Sequence, residues 1–236
     1  MSLERAVLLI GSARPPGEST SGSLGRYLLA RLEEGGVVSE TFLASHVRRP
    51  SRAERLLDAI DAADLFVLSS PLYIDSLPYL VTLALERIAA RRGAAAEPSP
   101  VRFLAIVNCG FPEPRHTRVA LDIAHAFARR AELEWAGGLG IGGGEMIHGT
   151  PLEAAMRPAR KVARSLDIVA EALADGRPVP DAAMRLVAEP LVPPVLYTSV
   201  AGLRWRRDAL RAGAYRQLDA RPYEAGSGAL GSRRWT

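Results

Sequence analysis

The chain has 236 residues, 48% of them hydrophobic and 24% charged, which suits a soluble chain with one sizeable α/β core plus an extension and excludes wholesale disorder. Its net charge of +4 sits in the tail: from Arg204 onward eight arginines face Asp208, Asp219 and Glu224, leaving 22 basic against 23 acidic residues before it, so the main domain does not read as a nucleic-acid binder. A single cysteine, Cys109, excludes a disulfide framework and any Cys-rich metal site, and no apolar run reaches the roughly 20 residues of a spanning helix. With no leader-like segment ahead of "AVLLI", a cytoplasmic location is expected.

The first predicted strand is "RAVLLIG", Arg5 to Gly11, followed by a loop with five hydroxyls, an arginine and three glycines. "SGSLGRYLLARLEEG" then reads as a helix with Leu24, Leu28, Leu29 and Leu32 on one face. A short second strand in "VVSETFLA" precedes a helix over "SRAERLLDAIDAA", with Ser51 as its N-cap. "DLFVLSSPLY" is a continuous apolar strand running into Ser-Ser-Pro, and "YLVTLALERIAARRG" a helix closed by basic residues and Gly. "VRFLAIVNCG" and "RHTRVALDIAHAFARRA" supply the fourth strand and helix. "EWAGGLGIGGG" is the fifth strand. "PLEAAMRPARKVARSLDIVAEALADG" is a long last helix that Pro158 either kinks or delays.

Strands that are apolar throughout, alternating with helices, argue for a parallel sheet covered on both faces. Five of them give the doubly wound class with order 2-1-3-4-5, whose ligands lie outside the carboxyl ends of the strands where the order reverses, between strands one and three. This domain is expected to span residues 1–176. Residues 177–236 form an extension: a Pro-rich linker "GRPVPDAAM", an apolar then basic helix in "EPLVPPVLYTSVAGLRWRRDALRAGAYRQL", and a disordered last dozen residues.

The first loop has the makings of an anion site. Gly11 permits a tight turn, and Ser12, Arg14, Ser19, Thr20 and Ser21 supply donors where a helix begins, so that its free N–H groups and dipole point at the same place. A solvated Ser-rich loop, with Ser21 or Ser23 only capping the helix, is the plain alternative, and a Walker loop is excluded because no Gly-Lys-Ser/Thr follows. In "SSPLYIDSLPYL", residues Pro71, Leu72, Tyr73, Ile74, Leu77 and Pro78 make an apolar turn that suits a flat aromatic ligand; burial of Leu72, Ile74 and Leu77 in the core explains the pattern as well. "NCGFPEPRH" places Cys109 near His116, but no nucleophile elbow surrounds it; Asn108, Cys109, Gly110 and Phe111 read better as backbone able to approach a ligand ring. The formal Gly-x-Gly-x-x-Gly of Gly138, Gly140 and Gly143 is out of place for a dinucleotide fingerprint and reads as a turn that lets a ligand or partner subunit come close. The histidines lack metal spacing, and no metal site is expected.

Taken in order, "GSARPPGESTSGSL", "SSPLYIDSLPYL", "NCGFPE" and "GIGGGEMIHG" resemble the flavodoxin-like family of NAD(P)H-dependent FMN reductases over roughly residues 5 to 175. The resemblance implies a flavodoxin-like fold holding FMN non-covalently, the phosphate at Ser12, Arg14, Ser19, Thr20 and Ser21 and the ring against Pro71, Leu72, Tyr73 and Ile74 and near Asn108, Cys109, Gly110 and Phe111. It further implies hydride transfer from NADH or NADPH through FMN to a small acceptor such as a quinone or flavin, with no catalytic side chain assigned, in a homodimer or homotetramer. A flavodoxin-type electron carrier without nicotinamide turnover is the rival reading. For the basic C-terminal helix, a lid or dimer-seam role is preferred over contact with an anionic membrane surface.

Overall fold

The continuous apolar runs become the inner strands of a sheet, buried on both faces, while a less apolar segment forms an edge. In the computed structural model, which describes residues 3–15, 17–154 and 157–220, the strands are β1 (Arg5–Ile10), β2 (Val38–Leu43), β3 (Leu65–Pro71), β4 (Arg102–Asn108) and β5 (Glu134–Ile141). All pair in parallel in the order β2-β1-β3-β4-β5, the expected arrangement. Along β1, successive side chains alternate between two cores: Ala6, Leu8 and Ile10 face one, Val7 and Leu9 the other.

The helices α1 (Thr20–Glu34), α2 (Pro50–Asp61), α3 (Tyr79–Gly93), α4 (Arg118–Arg130) and α5 (Arg160–Ala174) cover these faces. Leu24, Leu28, Leu29 and Leu32 of α1 join Val162, Leu166, Val169 and Leu173 of α5 in the first core. Side chains of α2, α3 and α4 close the second, where Phe103 stacks on Phe66 at 5.0 Å and meets Phe127 edge-on at 5.2 Å.

One boundary differs from the sequence reading, and another is decided between its two alternatives in favour of the late start. Pro50 opens α2 with Arg49, in extended conformation, as the capping residue in place of Ser51; proline's fixed φ suits a first helical position. The last sheet helix starts at Arg160, because Pro158 lies in a short 3-10 turn, Arg157–Ala159, ahead of it.

The segment after Gly176 is more than a linker. The Val179 amide donates to the Ala136 carbonyl of β5 at 2.7 Å, α6 (Asp181–Val187) packs beside α5, and Val179, Ala183, Val187 and Leu191 are buried in the first core. The compact unit accordingly runs to Pro193, past the boundary at residue 176 drawn from composition. The described residues from Pro194 onward form a second unit, in which α7 (Pro194–Arg211) is the helix expected from the sequence. The dozen terminal residues expected to be disordered lie outside the described residues.

Candidate functional site

β1 and β3 are neighbours whose following helices lie on opposite faces, so the edge of the sheet opens between Gly11 and Pro71. Here the Gly11 amide donates to the Ser69 carbonyl at 2.8 Å, and a Cβ at Gly11 would stand 2.6 Å from Ser70 Oγ and 2.7 Å from Val81. Only glycine fits.

The hydroxyls of the first loop are turned inward. Ser19, extended at φ −123° and ψ 137°, caps α1 by accepting from the Gly22 amide at 3.0 Å. Thr20 Oγ1 donates to the Gly144 carbonyl at 2.7 Å, Ser21 Oγ to Asn108 Oδ1 at 2.8 Å, and Ser69 Oγ to the Ser21 carbonyl at 2.7 Å. Thr20, Ser21, Ser69 and Asn108 are all buried. Three loops that are far apart in sequence are thereby tied around the start of α1. The amide N–H groups of Thr20 and Ser21 have no partner among the described residues. They are the donors that a helix start leaves free, at the positive end of its dipole.

Arg14 belongs to the same loop between β1 and α1. Its amide donates to Ser12 Oγ at 3.2 Å, and its guanidinium approaches His148 Nδ1 at 3.4 Å and Glu145 Oε1 at 3.9 Å. Glu145 and His148, which sequence reasoning passed over, are half-exposed and lie 3.3 Å apart. Their approach to Arg14 has no local sequence signal, because it depends on the loop after β5 folding back to the first.

The apolar turn after β3 is divided between core and surface. Leu72 is half-buried against the second core, its amide donating to the Asn108 carbonyl at 2.8 Å, and Leu77 is buried. Tyr73 and Ser76 exchange backbone hydrogen bonds at 2.9 and 3.1 Å around a two-residue turn whose central residues, Ile74 and Asp75, have φ of 48° and 57°. Such a conformation suits Asn-Gly and strains a β-branched residue. Ile74 is nevertheless 99% exposed, and Tyr73, Tyr79 and Phe111 are also exposed, so this edge carries several apolar side chains in solvent. Phe111 packs on His116 with ring centroids 4.7 Å apart.

Cys109 is a core residue. Only 2% exposed, its thiol faces the carbonyls of Phe111 and Glu113 at 3.5 and 3.7 Å, and burial pushes its pKa up to about 11. A thiol held neutral is no nucleophile. The carbonyl of Cys109 accepts from Gly144, and a Cβ at Gly110 would meet open space. Gly140 and Gly142, by contrast, serve the chain's own packing: a Cβ at Gly140 would collide with Thr117, and one at Gly142 with the Pro112 carbonyl.

No protein-family model matches the chain, and neither does any curated protein sequence compared with it. Solved structures do match. An NADH:FMN oxidoreductase in its apo form superposes with a TM-score of 0.52 at 16% identity, covering 80% of this chain and 96% of that one. An FMN-dependent NADH-azoreductase from Bacillus anthracis in complex with FMN gives 0.51 at 14% identity, covering 72% and 100%. A Streptococcus pneumoniae TIGR4 flavodoxin gives 0.51 at 13%, covering 73% and 99%. The fold is flavodoxin-like. At these identities, the likeness speaks to the fold alone.

Proposed function

We propose that the chain binds FMN at this edge of the sheet and uses it to carry a hydride from NADH or NADPH to a small acceptor such as a quinone or a flavin. The observation that carries this reading is the pair of amides of Thr20 and Ser21 without a partner among the described residues, at the strand-order switch whose loops also carry Arg14 and exposed aromatic side chains. Free helix-start amides plus a guanidinium match a phosphate; the aromatic edge and the open side of Gly110 match a flat ring. When bound, FMN supplies the hydride chemistry. The chain's part is to hold and orient.

In this reading the phosphate is held by the Thr20 and Ser21 amides, the Ser12 hydroxyl and Arg14. The hydroxyls of Ser19, Thr20 and Ser21 support them from behind by fixing the turn. Tyr73, Phe111 and the backbone from Asn108 to Gly110 flank the ring, while Leu72 seats the turn and Ile74 marks its rim. Cys109 takes no chemical part. The NADH:FMN oxidoreductase and azoreductase among the structural matches support turnover with nicotinamide, and the flavodoxin match supports a carrier.

Steady-state oxidation of NADH and NADPH by FMN-loaded protein, with a soluble quinone as acceptor, separates the two. Saturable oxidation that depends on FMN and acceptor is the expected result. Bound FMN that neither nicotinamide bleaches, while dithionite does, would leave the carrier reading in its place.

A further inference from the structure

The helix α7 is long enough to bury a full face, yet none of its residues is buried. Leu196, Val200, Leu203 and Leu210 follow one another at intervals of four, three and seven, so they stack on one side of the helix, and all are between 55% and 72% exposed. Arg206 flanks this stripe on one side, Arg204 and Arg211 on the other, and Arg207 falls within it between Leu203 and Leu210. Trp205 projects from the opposite side and is not counted in the stripe.

The charge is as one-sided as the apolar surface. Asp208 is the sole acid of the helix and is approached by Arg204, Arg207 and Arg211, each at 3.9 Å; Arg206 has no acidic partner among the described residues. The ten residues from Pro194 to Leu203 carry no charge at all. At 18 residues with four arginines α7 cannot cross a bilayer, and no helix among the described residues is long and apolar enough to do so. A surface that offers negative charge and apolar depth together satisfies both features at once. A second copy of α7 would bring arginines against arginines.

We propose that α7 docks this protein on an anionic lipid bilayer, lying in the plane of the interface with Leu196, Val200, Leu203 and Leu210 in the acyl boundary and its arginines at the headgroups. Arg207 reaches the headgroups by extending its aliphatic stem along the stripe. The inference does not depend on the FMN reading, because nothing in it uses the sheet edge.

The test is flotation of the full-length protein with vesicles of phosphatidylcholine alone and with about a third phosphatidylglycerol, in low and in high salt. The expected partition coefficient is about tenfold or more higher on the anionic vesicles, collapsing toward the neutral value as salt screens the charges. Replacing Arg204, Arg206, Arg207 and Arg211 by Gln removes that gain, replacing them by Lys keeps most of it, and Leu196→Asp with Leu203→Asp abolishes binding. Circular dichroism and the protein's melting curve establish that each variant is folded. Equal partition on neutral and anionic vesicles, or anionic binding that survives the four Gln substitutions in a folded protein, overturns the proposal. So does a wild-type protein that ignores both vesicles and has an oligomeric mass that falls when Leu196 and Leu203 become Asp, which would assign the stripe to a second copy.

Discussion

At the start of α1, side-chain hydroxyls and backbone amides have opposite duties. The hydroxyls of Ser19, Thr20 and Ser21 are hydrogen-bonded within the protein, whereas the amides of Thr20 and Ser21 face no protein acceptor. Substitutions can therefore separate them. Thr20→Val deletes the hydroxyl's bond to Gly144 and is expected to leave FMN affinity within a few-fold. Thr20→Pro deletes the amide as well at a first helical position where proline is tolerated, and Ser19 before it is already extended, as a residue preceding proline must be. The loss of one charge-assisted donor predicts an affinity about tenfold or more weaker than that of Thr20→Val, read by flavin fluorescence titration.

Cys109 allows a pH prediction. Its folded pKa of about 11 lies above the ordinary 9.0 because burial disfavours the thiolate. The unfolded chain ionises first as pH rises, so the stability tied to the neutral thiol is complete below about 9 and is lost as pH climbs toward 11. Urea midpoints of wild type and Cys109→Ala should thus converge between pH 8 and 11, and iodoacetamide should leave the native thiol unmodified at pH 8. Rapid alkylation of native protein contradicts the assignment.

At the level of elements, α1 is positioned by its contact with β1 and β3 as much as by its cap. A Cβ at Gly25 would come within 2.6 Å of the buried Leu8 side chain and 3.1 Å of Ser69. Gly25→Ala is expected to cost about 1–3 kcal/mol by overpacking and to lower the melting temperature; an unchanged melting curve would mean that the contact is slack. The inner strands β1, β3 and β4 were legible in the sequence because burial on both faces leaves continuous apolar runs, and α1 because Leu24, Leu28, Leu29 and Leu32 keep helical spacing. The α2 cap was missed because proline's own preference placed the boundary two residues earlier than a Ser51 cap would. The order of the loops around the edge was legible from strand order. Their partners were not: Thr20 with Gly144, Ser21 with Asn108 and Arg14 with His148 are joined only by the closed topology, which leaves no local pattern.

The whole molecule divides where the packing does. Val179, Ala183, Val187 and Leu191 belong to the core although composition assigns them to an extension, since a Pro-rich stretch looks the same whether it spans solvent or lies along a sheet edge. A chain ending at Pro193 should melt close to the full-length protein. One ending at Gly176 should lose about 5 kcal/mol or more from the exposed first core and fail to fold cooperatively. Equal melting of the two would place the boundary at residue 176 after all.

The central claim is that this edge of the sheet holds FMN, and the most direct measurement is the absorption spectrum of the full-length protein after incubation with FMN and desalting. A flavin band that remains at close to one equivalent per chain, and is reduced in the Thr20→Pro protein, is the predicted result. A folded protein that emerges colourless would contradict the account, leaving a flavodoxin-like fold whose anion site serves some other phosphate.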